Sequence, residues 1–129
     1  MARLLDTHIF LATIEDRVAA LPLAIRKEIS DPDSEFHLSV ASLWEIAIKH
    51  RLGKLPLKIG LEKLSEIARH YGIALISINE VDVLQSVNPE ASTRDPFDRL
   101  LLAQCAAKNM KLVTIDAALQ DHPLSATAS

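Results

Sequence analysis

The sequence predicts an α/β fold in which helices cover both faces of a parallel sheet. Short aliphatic runs alternate with longer helical patterns, and each link between two runs is long enough for a helical crossover. Strands joined in this way are buried on both faces and are therefore continuously apolar, as these runs are. The 129 residues are 49% hydrophobic and 24% charged, which favours one globular domain over residues 1–129.

Four short apolar runs are predicted as strands, and two of them end on an aspartate. The first run ends on Asp6 and the fourth on Asp116. The tail 123–129 offers a place for a fifth strand, although its residues are small and polar. The four predicted strands are 3–5, 36–39, 73–78 and 112–115.

Helical patterns fill the segments between these strands. The spacing Ser42-x-x-Glu45 is that of a capping box and predicts a helix that opens at Ser42 and ends at Gly53. The predicted helices are 7–14, a helix through 29 with starts marked at Asp16 and Pro22, 42–52, 61–71, 81–86, 96–108 and a last turn at 117–119.

The helix over 96–108 has the best-defined ends. Asp95 suits the N-cap, where its carboxylate accepts the free N–H groups of the first turn. Pro96 suits the first helical position, and Asn109 tolerates the left-handed conformation that closes a helix. Asp98 lies in the first turn of this helix, where it complements the helix dipole or takes part in chemistry.

The composition excludes several classes of protein. Three glycines cannot supply a phosphate-binding P-loop, and one cysteine, Cys105, excludes an internal disulfide and fits a reducing cytoplasm. No apolar run reaches the roughly 18 residues of a membrane span. Asp6 and His8 interrupt the N-terminal apolar run, so no signal peptide is expected and the predicted location is cytoplasmic.

Charge is unevenly distributed along the chain. The net charge is −3, yet residues 46–70 hold six basic and two acidic residues, a local balance of +4 that leaves −7 for the rest. This segment is either a phosphate-facing surface or a solvated pair of helices. Its basic residues are Lys49, Arg51, Lys54, Lys58, Lys63 and Arg69.

Four carboxylates are predicted to meet at one edge of the sheet. Parallel strands all end at the same edge, so Asp6 and Asp116 lie there, with Glu45 close by after the second strand. A helix that feeds a parallel strand begins at that edge, which brings Asp98 to it as well. This is the edge at which open α/β sheets bind ligands.

Four neighbouring carboxylates repel one another unless a cation compensates them. Oxygen ligands suit Mg²⁺ or Mn²⁺, whereas zinc is disfavoured because the five histidines lack ligand spacing and only one cysteine is present. Each acid also has a structural alternative as a helix cap. Trp44 adjoins Glu45 and is either a packing residue or a platform for a nucleic-acid base.

Several motifs resemble those of PIN-domain nucleases, and most of all the VapC-type toxins of bacterial toxin–antitoxin pairs. The resemblance covers nearly the whole chain in order and spacing. It rests on Asp6-Thr7 after the first strand, the segment 42–49 (Ser-Leu-Trp-Glu-Ile-Ala-Ile-Lys), the segment 94–101 around Asp-Pro-Phe-Asp-Arg, and Val113-Thr114-Ile115-Asp116.

The resemblance implies a three-layer α/β/α sandwich whose parallel sheet of four to five strands has the order 3-2-1-4-5. It implies an Mg²⁺- or Mn²⁺-dependent endoribonuclease that dimerises and is inhibited by a cognate antitoxin. The family's acids fall on Asp6, Glu45, Asp98 and Asp116, and its Ser/Thr position falls on Thr114. Thr93 stands where close relatives often carry histidine, a departure that leaves the acids intact.

The sequence therefore predicts metal-assisted hydrolysis of RNA phosphodiester bonds. Asp6, Asp98 and Asp116 are expected to hold the ion, and Glu45 to complete the site or orient the attacking water. Thr114 and Asp95 are expected to support these acids without holding the ion directly. The candidates for RNA-backbone contact are Lys49, Arg51, Lys54 and Arg99.

Two alternatives remain open at the level of sequence. One is a binding module that keeps the fold without activity; the other is an Mg²⁺-binding domain like the receivers of signalling proteins. A receiver would have adjacent acids after the first strand, but Thr7 follows Asp6 here.

Overall fold

The computed structural model describes residues 1–128 and shows four parallel strands in one sheet. The order along the sheet is β3-β2-β1-β4, and helices cover both faces, which confirms the three-layer α/β/α class. The strands are β1 Ala2–Leu5, β2 Glu35–Ser39, β3 Ala74–Ile76 and β4 Lys111–Val113.

In the described part of the chain, seven α-helices connect and follow the strands: α1 Thr7–Ile14, α2 Leu23–Ile29, α3 Val40–Arg51, α4 Leu64–His70, α5 Glu80–Leu84, α6 Pro96–Lys108 and α7 Ala117–Gln120. The helix predicted from residue 61 begins three residues later, at Leu64, because Leu61–Lys63 forms a 3-10 turn. Helix α2 begins directly after Pro22, one of its two predicted starts, and a separate 3-10 turn precedes it at Val18–Ala20. Asp16 adopts a left-handed conformation with φ of 55°, and Pro22 lies just before α2, so no continuous helix runs from Asp16.

The register of the strands brings their carboxyl ends together. Leu5 pairs with Val113 across β1 and β4, and Ser39 pairs with Ile76 across β2 and β3. The backbone N–H of Asp6 donates to the carbonyl of Val113 at 3.0 Å, one residue beyond the last strand pair. Asp6 is therefore fixed at the carboxyl edge of the central strand.

Helix α6 begins and ends as its local sequence predicts. The Asp95 carboxylate accepts the N–H of Phe97 at 2.8 Å, and Pro96 is the first helical residue. Asn109 closes the helix with φ 56° and ψ 51°. Because α6 runs back along the sheet before β4, its first turn lies at the carboxyl edge.

The predicted capping box at Ser42 is wrong. Helix α3 begins at Val40, and the hydroxyl of Ser39 caps it by accepting the N–H of Ala41 at 3.0 Å. Ser39 is also the last residue of β2, so the strand leads directly into the helix. Glu45 consequently lies in the second turn of α3, where it is free of any capping role.

The tail carries one isolated bridge in place of a fifth strand within residues 1–128. Leu112 of β4 pairs with Ser125, and its N–H donates to the carbonyl of Leu124 at 2.7 Å. Pro123, which has no N–H, lies immediately before this contact. The bridge marks the side of β4 on which a fifth strand of the expected order would lie.

The two faces of the sheet carry separate apolar cores. Leu5 faces a core in which Phe10 and Ile9 are fully buried, and Leu4 faces a second core with Leu102 and Leu112. Neighbouring residues of β1 thus point to opposite faces, as the pleat of a strand requires. Within residues 1–128, no helix has both the length and the apolar character needed to cross a membrane.

Candidate active site

Asp6 is held on both carboxylate oxygens. Its side chain is 3% exposed, and Oδ1 accepts the N–H of Thr7 at 2.7 Å, which caps α1. Oδ2 accepts the hydroxyl of Thr114, which follows β4, at 2.7 Å. Burial raises the pKa of the Asp6 carboxyl, and the hydrogen bond from Thr114 opposes that rise. Asp6 is therefore both a structural cap and a buried acid at the sheet edge.

Glu45 is also held on both oxygens. Its Oε1 accepts the hydroxyl of Thr7 at 2.6 Å, and its Oε2 accepts the ammonium of Lys49 at 2.7 Å, one turn further along α3. Thr7 thus links the two acids, since its N–H binds Asp6 and its hydroxyl binds Glu45. This contact fixes the second turn of α3 against the start of α1.

Asp98 lacks such support. It is 9% exposed in the first turn of α6, and no group within residues 1–128 donates a hydrogen bond to its carboxylate. Burial, together with the negative charges of Asp6, Asp95, Asp116 and Glu45, raises the pKa of Asp98 to about 7. A carboxylate without donors, surrounded by other acids, is an unfavourable arrangement that a cation would relieve.

Asp116 is partly exposed at the end of the segment that follows β4. Its Oδ1 accepts the N–H of Ala118 at 2.9 Å and caps α7, as expected for the structural alternative. Its own N–H donates to the hydroxyl of Thr114 at 3.0 Å. Thr114 therefore connects Asp116 to Asp6, so the last acid is tied to the first.

The four acids share one electrostatic environment, since the other three all raise the pKa of Asp98. Carboxylate oxygens suit hard divalent cations such as Mg²⁺ and Mn²⁺, and a cation would offset both the burial and the repulsion at Asp98. No three His, Cys, Asp or Glu side chains in the described part of the chain form a ready ligand group. The chemistry of these oxygen donors fits a divalent cation.

The basic candidates fall into two groups. Lys49 is paired with Glu45, and Arg99 is paired with Glu90 at 3.1 Å while its Nε donates to the carbonyl of Thr93 at 2.8 Å. Arg51 and Lys54 are exposed, and neither forms an ion pair within residues 1–128. Two of the four are therefore already engaged by acids of the chain.

Sequence patterns alone missed the role of Thr7 and the partner of Lys49. The Glu45–Lys49 pair has the i, i+4 spacing of a helical ion pair, so a signal was present. The hydrogen bond from Thr7 to Glu45 joins residues 38 positions apart and depends on how α1 and α3 pack. Asp95, expected to support the site, caps α6 and adds negative charge near Asp98.

A family model of the PIN domain matches residues 3–123, which is nearly the whole chain. The chain therefore belongs to the PIN-domain family, whose fold is generally that of a nuclease. No curated protein and no solved structure matches the chain.

Proposed function

We propose that this protein is a metal-dependent endoribonuclease, the toxin of a type II toxin–antitoxin pair. The observation that carries the proposal is that four carboxylates from four separate elements lie at one sheet edge, and that one of them, Asp98, is buried and accepts no hydrogen bond from residues 1–128. Helix capping accounts for Asp6 and Asp116 but gives no role to Asp98 or Glu45. Membership of the PIN family supports nuclease chemistry at this edge.

Asp6, Asp98 and Asp116 would hold Mg²⁺ or Mn²⁺ directly or through water. A bound divalent ion supplies an acidified water and stabilises charge on the phosphate oxygens during in-line displacement. Glu45 would complete the site or orient that water. Its position suits this role, since the hydroxyl of Thr7 holds one of its oxygens whether or not Lys49 moves to a phosphate.

The threonines keep the acids in place during the reaction. Thr114 holds Oδ2 of Asp6 and the N–H of Asp116, so the two acids on neighbouring strands keep a fixed spacing. Thr7 does the same for Asp6 and Glu45. Preorganised acids need not reorient when the substrate arrives.

The RNA backbone would contact basic side chains on α3, just after α3 and in the first turn of α6. Arg51 and Lys54 are exposed and can reach phosphates without breaking a partnership. Lys49 is paired with Glu45 and Arg99 with Glu90, so each would first have to leave its acid to bind a phosphate. Such contacts position a strand without reading its sequence.

The toxin assignment rests on the motifs at residues 42–49 and 94–101, which resemble those of VapC-type proteins. Three further proposals follow from this assignment: a cognate antitoxin blocks the acidic edge, the protein forms a homodimer, and it acts in the cytoplasm.

Cleavage of a mixed RNA pool tests the proposal. Purified protein is incubated with Mg²⁺, Mn²⁺ or EDTA, and wild type is compared with Asp98→Asn, which keeps the shape of the side chain but removes its charge. Asp33→Asn is the matched control, because Asp33 is an exposed acid in the turn before β2, at the opposite edge. We expect metal-dependent cutting by wild type and Asp33→Asn, and none by Asp98→Asn.

Equal cutting by wild type and Asp98→Asn would contradict the proposed role of Asp98 and would point to a contaminating nuclease. If folded wild type cuts no RNA with either metal, the inactive binding module becomes the better explanation.

A further inference from the structure

Two aromatic side chains lie beside the acidic edge. Trp44 of α3 and Phe97 of α6 form an edge-to-face pair, with ring centroids 5.7 Å apart and an angle of 71° between the ring planes. Trp44 directly precedes Glu45, and Phe97 directly precedes Asp98. The pair therefore joins the two helices that carry these acids.

The indole of Trp44 is largely open to solvent. Its side chain is 62% exposed, whereas Phe97 is partly buried against the second core. An edge-to-face contact uses at most one face of the indole ring, so at least one face remains uncovered by Phe97. Packing thus accounts for one side of Trp44 and leaves an apolar, aromatic surface next to Glu45.

We propose that Trp44 is a stacking platform for an unpaired base of single-stranded RNA, one nucleotide away from the phosphodiester bond that is cut. This inference rests on the proposed ribonuclease function and names a side chain that contacts the substrate. Every base has a flat π-face that stacks on an aromatic ring, so the platform accepts any of the four bases.

Position is the reason for choosing a base as the occupant. Since Trp44 precedes Glu45 on α3 and packs against the residue that precedes Asp98 on α6, a strand whose phosphate reaches these acids would carry a neighbouring base to the indole. In a duplex the bases are stacked on one another and cannot present a face to a protein ring, whereas single strands can. Stacking on Trp44 therefore favours unpaired RNA but does not discriminate among the four bases at that position.

The chain offers a direct probe of this contact, because Trp44 is its only tryptophan. Protein in EDTA at low salt is titrated with three probes: a single-stranded RNA hexamer, the same hexamer with one abasic position, and a duplex of that sequence. Indole fluorescence reports stacking on Trp44, and the anisotropy of dye-labelled RNA reports affinity. Cleavage by the same proteins is then measured with Mg²⁺.

The variants are Trp44→Ala, Trp44→Phe and Tyr71→Ala. Tyr71 is the matched control, because it is a 46% exposed aromatic residue at the end of α4, where the chain enters β3 at the opposite edge. We expect the single strand to quench the indole and the duplex to leave it unchanged. Trp44→Ala should weaken single-strand binding on the order of 10-fold, Trp44→Phe should restore most of it, and Tyr71→Ala should behave as wild type.

The outcomes separate this inference from the proposed function. If wild type binds and cuts RNA but Trp44→Ala has the same affinity and KM, the platform is wrong and the nuclease stands. Equal quenching by duplex and single strand would also overturn the platform. If wild type neither binds nor cuts RNA, both proposals fall. If Trp44→Ala keeps its RNA affinity but loses a dimer, the ring belongs to a protein interface.

Discussion

Removing the charge of Asp98 should stabilise the metal-free protein at neutral pH. The carboxyl is buried among other acids, and these surroundings raise its pKa from 3.8 to about 7. Three pKa units correspond to about 4 kcal/mol of unfavourable free energy for the charged form in the folded state. We expect about half of that to be realised, since the neighbouring acids share the protonation and solvent screens the rest.

The sign of the pH dependence follows from the two pKa values. Between pH 3.8 and about 7 the folded state binds the proton of Asp98 and the unfolded state does not. The contribution of Asp98 to the unfolding free energy therefore falls as pH rises through this window, and the loss is complete above about pH 7. Asp98→Asn has no such dependence at this position.

Urea denaturation in EDTA at pH 5 and pH 8 measures the effect. We expect Asp98→Asn to exceed wild type by about 2 kcal/mol at pH 8, with a clearly smaller excess at pH 5. Thermal unfolding should show the same order, at roughly 3–5 °C per kcal/mol for a chain of this size. Asp33→Asn, an exposed acid outside the site, should match wild type at both pH values. A variant less stable than wild type at pH 8, or a pH-independent difference, would refute the reasoning.

Three further changes test the contacts around the site. Thr114→Val leaves the buried Oδ2 of Asp6 without a donor, so urea denaturation should show a loss of about 1–3 kcal/mol, and the acidic limb of any pH–activity profile should move upward. Lys49→Met leaves the side chain of Glu45 without its cation; because Lys49 is 40% exposed, the same measurement should show only about 1 kcal/mol. Ser39→Ala removes the cap of α3 and should cost about 1 kcal/mol of unfolding free energy, whereas Ser42→Ala should cost less than Ser39→Ala if the cap lies at Ser39.

Local signals predicted helix α6 well. Asp95, Pro96 and Asn109 each act through their own backbone geometry, so their roles depend little on the rest of the fold. The convergence of the four acids needed one more step. Parallel strands end at the same edge, and this topological rule brings residues 6 and 116 together across 110 positions of sequence.

The start of α3 shows where local signals are insufficient. Ser39 and Ser42 are both able to cap a helix, and the pattern Ser42-x-x-Glu45 matches the better-known motif. The sheet decides between them, because pairing with β3 fixes Ser39 at the end of β2 and the chain turns there. The hydroxyl of Ser42 is then buried, and it has no hydrogen-bond partner within residues 1–128.

Contacts between side chains that are distant in sequence could not be predicted for a different reason. The hydrogen bond from Thr7 to Glu45 depends on the packing angle between α1 and α3, which neither segment encodes alone. The pairing of Arg99 with Glu90 likewise depends on the path of the loop before α6. Such contacts decide which charges remain available to RNA.

Calorimetric titration of Mn²⁺ into the metal-free protein tests the central claim most directly, namely that these acids form one cation site. Wild type and Asp33→Asn should bind the ion with the same affinity. Asp98→Asn should bind it at least about tenfold more weakly. Among the four acids, Asp98 alone accepts no hydrogen bond from residues 1–128, so both of its oxygens are available to the ion. Equal Mn²⁺ affinity in wild type and Asp98→Asn would contradict the account.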